Sequence, residues 1–254
     1  MMKLYIYTIP KSGTYLLAAF MENMGFDNTG YHVSQDDYLD TKRFTFEENA
    51  RTPSITSVEQ YFITRLRSLH DNQMAFGHVP VPILSWALPD YRFICVYRHP
   101  RKTLLSEFID FRFRRIDVDF VSREVIQDDR EAFLRYLNEH GPIHMTVFSD
   151  MLAAATLFNN PLFRQYPSDR VIFINFDGFL HNSGPAHAIA QHYGLDTRRV
   201  DDAWQDALAT ETKTNATTLN LDRDAFWTAE AVAAADRLDL EAYVTSARSA
   251  GLNV

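Results

Sequence analysis

Four short stretches constrain the fold of this chain most: "LYIYT" from Leu4, "MAFGHV" from Met74, "YRFICVYR" from Tyr91 and "RVIFINF" from Arg170. Each has the length of a strand and is apolar along nearly its whole run. A strand with water on one face alternates apolar and polar side chains, whereas one covered on both faces does not. These four therefore read as interior strands of a parallel sheet. Segments of helical period lie between them. Leu16, Leu17, Phe20 and Met24 recur at three and four residues, and Met151, Leu152, Ala155 and Phe158 repeat the pattern. The alternation predicts an α/β fold, a central parallel sheet flanked by helices on both faces and joined by right-handed crossovers.

After Gly194 the composition shifts to Ala, Asp and Thr, and "TAEAVAAADRLDLEAYVTSARSAG" predicts one or two helices ending near Gly251. No internal repeat or domain-separating linker interrupts the chain, so residues 1–254 read as one domain with 195–254 as its helical C-terminal portion. The stretch from Asp27 to Ser57 lacks clean periodicity and reads as a long irregular segment, holding Tyr31, His32, Tyr38, Phe44 and Phe46. Such segments inside compact domains are more often functional than idle.

Composition narrows the partners. With 46% apolar and 13% aromatic residues over 254 positions, neither a disordered nor a fibrous class is supported. The single cysteine, Cys95, excludes an intramolecular disulfide framework and a cysteine-built zinc site, and its place in "FICVY" suits a buried apolar residue. "MMK" leads directly into a strand, which leaves no room for a signal peptide, and no apolar run approaches the ~20 residues needed to span a bilayer. The expected location is cytoplasmic, with no membrane span. A net charge of −8 argues against nucleic acid as a partner. From Asp196 onward eleven acids face six Lys and Arg, so the tail alone carries −5. Any anion site must be a local basic pocket.

Three motifs supply such a pocket. In "IPKSGT", Gly13 permits a tight turn, the amides at the next helix start can cradle anionic oxygens, and Lys11 adds a positive charge. It is not the G-x-x-x-x-G-K-[ST] loop, because Lys11 precedes the only glycine. The alternative is an ordinary strand-to-helix turn with Ser12 or Thr14 as N-cap. In "FICVYRHPRKTLLSEF", Arg98 lies at the carboxyl end of a strand, Pro100 can open a helix, and Ser106 falls inside that helix. Ligands of open α/β sheets collect outside the carboxyl ends of strands, and arginine grips phosphate through two parallel hydrogen bonds. The alternative is an Arg98 ion-paired at the sheet edge and a solvated Ser106. In "FGHVPV", His78 ends another strand and is either a structural residue or, with an ordinary pKa of ~6.5, a general base. A fourth stretch, "RVIFINFDGFL", reads as a strand and helix start with Asp177 as a capping acid.

Taken in order, these motifs resemble the sulfotransferase family that uses 3′-phosphoadenosine 5′-phosphosulfate (PAPS). "PKSGT" resembles the family's 5′-phosphosulfate loop, "GHVP" its catalytic-histidine segment, Arg98 with Ser106 its 3′-phosphate pair, and "INFDGFL" its tyrosine-glutamate-aspartate-leucine strand end. The likeness runs from about Leu4 to Leu180. It implies a P-loop-like fold, PAPS as donor, 3′-phosphoadenosine 5′-phosphate (PAP) as product, no metal, and a small-molecule acceptor bearing a hydroxyl, phenol or amine. Lys11 and His78 would be catalytic, and Lys11, Ser12, Gly13, Thr14, Tyr15, Arg98 and Ser106 would hold the nucleotide. Tyr15 stands where the family has a second Thr or Ser, and Leu16 where many members have Trp near the adenine. The family's C-terminal arginine-lysine-glycine loop has no match, and Lys213 in "TETKTNATT" is the candidate substitute.

The acceptor pocket is expected among the aromatics from Tyr31 to Phe62 and in "FIDFRFRRID". There Phe108, Phe111 and Phe113 could line an apolar pocket and Arg112, Arg114 and Arg115 could meet an acidic acceptor, or the segment is a helix with one buried and one solvated face. No cluster of His and carboxylates shows metal-ligand spacing. Two rivals remain: a nucleotide or small-molecule kinase, which would want the lysine after the glycine, and a non-catalytic nucleotide-binding scaffold. The acidic tail could cover the nucleotide, cap the fold or form a homodimer face, and the sequence does not rank these.

Overall fold

The computed structural model describes residues 2–34, 37–44, 48, 57–59, 62–115, 118–160, 162, 168–210, 219 and 221–254. Its strands are β1 Lys3–Thr8, β2 Asp27–Ser34, β3 Asp37–Asp40, β4 Ser57–Glu59, β5 Gln73–Gly77, β6 Tyr91–Tyr97 and β7 Val171–Asn175. They form a seven-stranded sheet in the order β4-β3-β2-β5-β1-β6-β7. β2, β5, β1, β6 and β7 run parallel, while β3 and β4 pair antiparallel at the far edge.

β1 lies between β5 and β6, which is why its apolar run does not alternate. Tyr5 and Tyr7 face one apolar cluster, with Phe93, Cys95 and Tyr97 of β6. Leu4 and Ile6 face the other, with Ile94 and Val96. On the Tyr5 side pack α4 Pro100–Phe113, α5 Asp129–Glu139 and α6 Gly141–Asn159. On the Leu4 side pack α1 Thr14–Asn23, α7 Phe176–His181, α8 Gly184–Tyr193 and α9 Val200–Ala209. Leu16, Leu17 and Phe20 are the buried stripe of α1, and Met151, Ala155 and Phe158 that of α6, as their spacing predicts. Two short helices, α2 Phe62–Arg67 and α3 Val81–Ala87, flank β5 in sequence.

The C-terminal stretch resolves into α10 Ala229–Arg237 and α11 Leu240–Ser249, separated at Asp239, whose backbone is left-handed with φ 58°. Ala231, Ala234, Ala235, Tyr243, Val244 and Leu252 join the same apolar cluster as Tyr5 and Phe93. Among the described residues no helix is long and apolar enough to cross a membrane.

Two expectations are corrected. The stretch from Asp27 to Ser57 is not irregular throughout: it contains β2 and β3, and β4 begins at Ser57. Its period is hidden because the β2–β5 register shifts between Asn28 and His32, with only Gly30 and Val33 buried along β2. Asp177 is not the cap of α7. Asn175 is, its Oδ1 accepting from the Gly178 amide at 3.0 Å, and Asp177 turns to two cations instead.

Candidate active site

β1 ends at Thr8, and the chain turns through Pro10, Lys11 and Ser12 into α1. Lys11 (φ 64°) and Gly13 (φ 87°) both adopt left-handed backbone. Gly13 is the N-cap of α1, and no side chain bonds to the first turn, so Ser12 and Thr14 do not cap it. A Cβ on Gly13 would sit 1.9 Å from the Phe176 ring, so glycine is required by contact as well as by φ. Thr14 instead shares a 2.6 Å hydrogen bond with the Thr8 hydroxyl.

The loop's charge is buried. Lys11 Nζ lies 3.1 Å from Asp110 Oδ1 of α4, with the lysine side chain 10% exposed. Burial is the main force lowering the ammonium's pKa, partly offset by Asp110. Asp110 is the ion-pair partner of Lys11 Nζ, while Ser12 Oγ is buried without a hydrogen-bond partner. A buried donor left unpaired is costly, and its presence beside a buried ammonium at an uncapped helix start fits an anionic ligand. Asp110 also holds Arg114 at 3.0 Å.

Arg98 follows β6, and its Nε donates to Asp177 Oδ1 at 3.0 Å. Its guanidinium lies 5.3 Å from the Phe176 ring, the same ring that abuts Gly13. Arg98 and the Lys11 loop thus share a wall. β6 is an interior strand, so this is not a pair at the sheet edge. Pro100 begins α4 as expected, capped by His99 Nδ1. Residues four apart share a helix face. On α4 that face carries Lys102, which reaches Asp177 at 3.1 Å, then Ser106, then Asp110, which reaches Lys11. Half-buried Ser106 therefore lies one turn from Lys102, which shares Asp177 with Arg98, and one turn from Asp110, the partner of Lys11.

His78 closes the group from β5. Gly77 lets β5 approach β2, since a Cβ there would lie 1.9 Å from the Val33 carbonyl oxygen. The imidazole's Nδ1 is 2.8 Å from the Thr8 carbonyl oxygen and its Nε2 is 3.0 Å from His32 Nε2. Burial is the first cause of its lowered pKa; the Thr8 carbonyl and Glu107 oppose the shift, while His144 and Lys11 add to it. The Tyr15 hydroxyl is 2.7 Å from His32 Nδ1, so its polar end is turned to this histidine. Lys11, His78 and Arg98 therefore converge at the carboxyl ends of β1, β5 and β6. Lys213 lies outside the described residues, as does much of the aromatic segment up to Phe62.

Sequence reasoning missed several site features. His32 is separated from His78 by 46 positions, and only the β2–β5 pairing joins them. Asp110 shows no signal beyond lying one turn past Ser106. Two expected acceptor residues are structural: Phe108 packs against Phe133, Tyr136 and Phe226, and the fully buried Arg112 binds Asp129 at 2.6 Å and the Val121 and Gln127 carbonyls.

The fold also assembles a group with metal-like spacing that the sequence does not reveal. Glu107, His140 and His144 place donor atoms within 4.8 Å of one another. Glu107 already accepts from Tyr136 at 2.6 Å and His144 Nδ1 at 2.8 Å. Burial pushes its carboxyl up, but His144, His140 and Tyr136 together hold it well below the usual range. His144 Nε2 is buried with no hydrogen-bond partner while its Nδ1 faces Glu107.

The fold and the convergent loop define a nucleotide-type crevice at the carboxyl end of a parallel sheet. The chain belongs to the sulfotransferase domain family, whose model matches residues 2–222. Among solved structures it is similar to mouse sulfotransferase SULT7A1 complexed with PAP, with a TM-score of 0.60 and 14% identity over 96% of this chain and 89% of that one. At that identity the likeness speaks for the fold. No curated protein matches the chain by sequence.

Proposed function

We propose that this sulfotransferase transfers the sulfuryl group of PAPS to a hydroxyl, phenol or amine of a small-molecule acceptor, with PAP as the other product. One observation carries the reading: a buried lysine held by Asp110, Lys11, and a buried serine hydroxyl without a hydrogen-bond partner, Ser12 Oγ, stand at an uncapped helix start beside a histidine. Lys11, Ser12 and the amides of Gly13, Thr14 and Tyr15 would hold the 5′ end of the nucleotide. Arg98 and Ser106 would hold the 3′-phosphate, the Nη groups of Arg98 reaching it while Nε stays with Asp177. The bound nucleotide supplies an activated sulfuryl group.

His78 Nε2 takes the acceptor's proton. Its Nδ1 is committed to a carbonyl, so the basic lone pair sits on Nε2 and cannot switch sides. The lowered pKa keeps the imidazole neutral, and so competent, at neutral pH. Lys11 and the α1 amides present fixed positive charge where negative charge grows, and one such donor is worth about 3–4 kcal/mol. Arg98 and Ser106 anchor the far end of the nucleotide, and that binding positions the reacting group. The acceptor is a small organic molecule, in line with a cytoplasmic enzyme.

The test is an acceptor screen with PAPS supplied, paired with calorimetry. PAP binding without magnesium and sulfated product are expected. Magnesium-dependent ATP binding would favour a kinase, and PAP binding without transfer to any acceptor would favour a scaffold.

A further inference from the structure

We propose that His32 is a positioning residue for His78, holding its basic nitrogen by a hydrogen bond that an acceptor hydroxyl must displace. This rests on the reading of His78 as the base. The geometry admits one direction of hydrogen bonding. The Thr8 carbonyl oxygen only accepts, so His78 Nδ1, 2.8 Å away, carries a proton. In neutral His78 the Nε2 is then a lone pair, and the group 3.0 Å from it, His32 Nε2, must donate. His32 Nδ1 is therefore also a lone pair, and the Tyr15 hydroxyl, 2.7 Å away, donates to it. The series Tyr15 to His32 to His78 to Thr8 fixes both tautomers.

The fold enforces this arrangement. β2 and β5 pair with His32 opposite Phe76 and Val33 opposite Gly77, after the register shift that follows Asn28. His78 lies two residues beyond Phe76, and its amide donates to the Val33 carbonyl at 3.0 Å. A slip of one residue would turn His32 to the other face of the sheet. The His32 and Tyr15 rings both pack on Phe76, at 5.6 and 5.5 Å, which restrains them.

Donation to Nε2 stabilises neutral His78 and occupies the lone pair that must take the acceptor's proton. The groups facing His78 are His32 from β2 with Tyr15 from α1 behind it, Thr8 from β1, Lys11 from the loop, Glu107 from α4 and His144 from α6. Of these, His32 alone bonds to Nε2 among the described residues.

The experiment compares wild type, His32→Phe and His32→Gln, each checked for folding by circular dichroism. Nitrogen-detected NMR reads the tautomer and titration of His78, and steady-state kinetics read the acceptor KM and kcat. In His32→Phe the His78 titration midpoint is expected to rise. The acceptor KM is expected to fall by about 3- to 10-fold, the size of one net hydrogen bond, and by more than kcat changes. His32→Gln, which keeps an N–H donor, is expected to restore both toward wild type. A folded His32→Phe whose His78 titration and acceptor KM match wild type would overturn the proposal, as would wild-type His78 protonated at Nε2 instead of Nδ1. Wild-type transfer by His78→Asn would instead overturn the base assignment, and the imidazole titration reads the His32 contact with or without turnover.

Discussion

At the scale of the residue, two cations and one neutral imidazole have separable tasks in the proposed reaction. If Lys11 stabilises charge that develops during transfer, as proposed, Lys11→Ala is expected to lower kcat by roughly 10²–10³-fold, measured with PAPS and any productive acceptor. Arg98 has the proposed task of anchoring a part of the nucleotide that does not react. Arg98→Ala is expected to weaken PAP binding by about 10- to 100-fold in calorimetry with a smaller effect on kcat, partly because it leaves Asp177 facing a phosphate. For His78 the sign follows from its lowered pKa. Only the neutral imidazole accepts a proton, so kcat/KM is expected to hold flat through neutral pH and fall in acid, with the limb below the ~6.5 of a free imidazole. A limb above that value would contradict the burial argument. These residue types were legible in the sequence because each stands directly after a strand. Their partners were not: Asp177, Asp110 and His32 come from other elements, and only the finished sheet brings them in.

At the scale of the element, two glycines separate backbone strain from crowding. Gly13 and Gly194 both have positive φ, but a Cβ on Gly194 meets nothing within 4 Å while one on Gly13 strikes Phe176. Gly194→Ala is expected to cost about 1 kcal/mol in urea unfolding. Gly13→Ala is expected to cost clearly more and to abolish PAP binding, since the loop must shift to clear the ring. Helix α4 shows a similar division along its length. Its Lys102, Ser106 and Asp110 face serves the crevice, while Arg112 clamps Asp129 and two carbonyls from within the protein. Arg112→Met is expected to lower stability by about 3–5 kcal/mol, because the Val121 and Gln127 carbonyls lose this donor and Asp129 keeps Arg123 but loses its buried partner. The interior strands were readable because burial on both faces writes itself into sequence as an unbroken apolar run. β2 was not, since its register shift and its polar, half-exposed residues erase the two-residue period.

At the scale of the molecule, a chain of net charge −8 holds two buried cations, Lys11 and Arg98, at one end of the sheet. Lys11 and Arg98 are 10% and 12% exposed, so the proposed anion site is a buried pocket and not a basic surface. That arrangement suits a small anion. A buried site also means that ligand binding supports the fold, and PAP at a hundred times its Kd adds about 2.7 kcal/mol to stability by mass action. The alternation of strands and helices was legible along most of the chain, because the hydrophobic period of each element is local. The nucleotide crevice was legible only as a set of strand ends whose convergence needed the strand order. The most direct measurement of the central claim is transfer of labelled sulfate from PAPS to a panel of hydroxyl and phenol acceptors by wild type and His78→Asn. The account predicts labelled product from wild type and a loss of 10²-fold or more in the variant. Equal product from both proteins, or none from wild type while PAP binds, would contradict it.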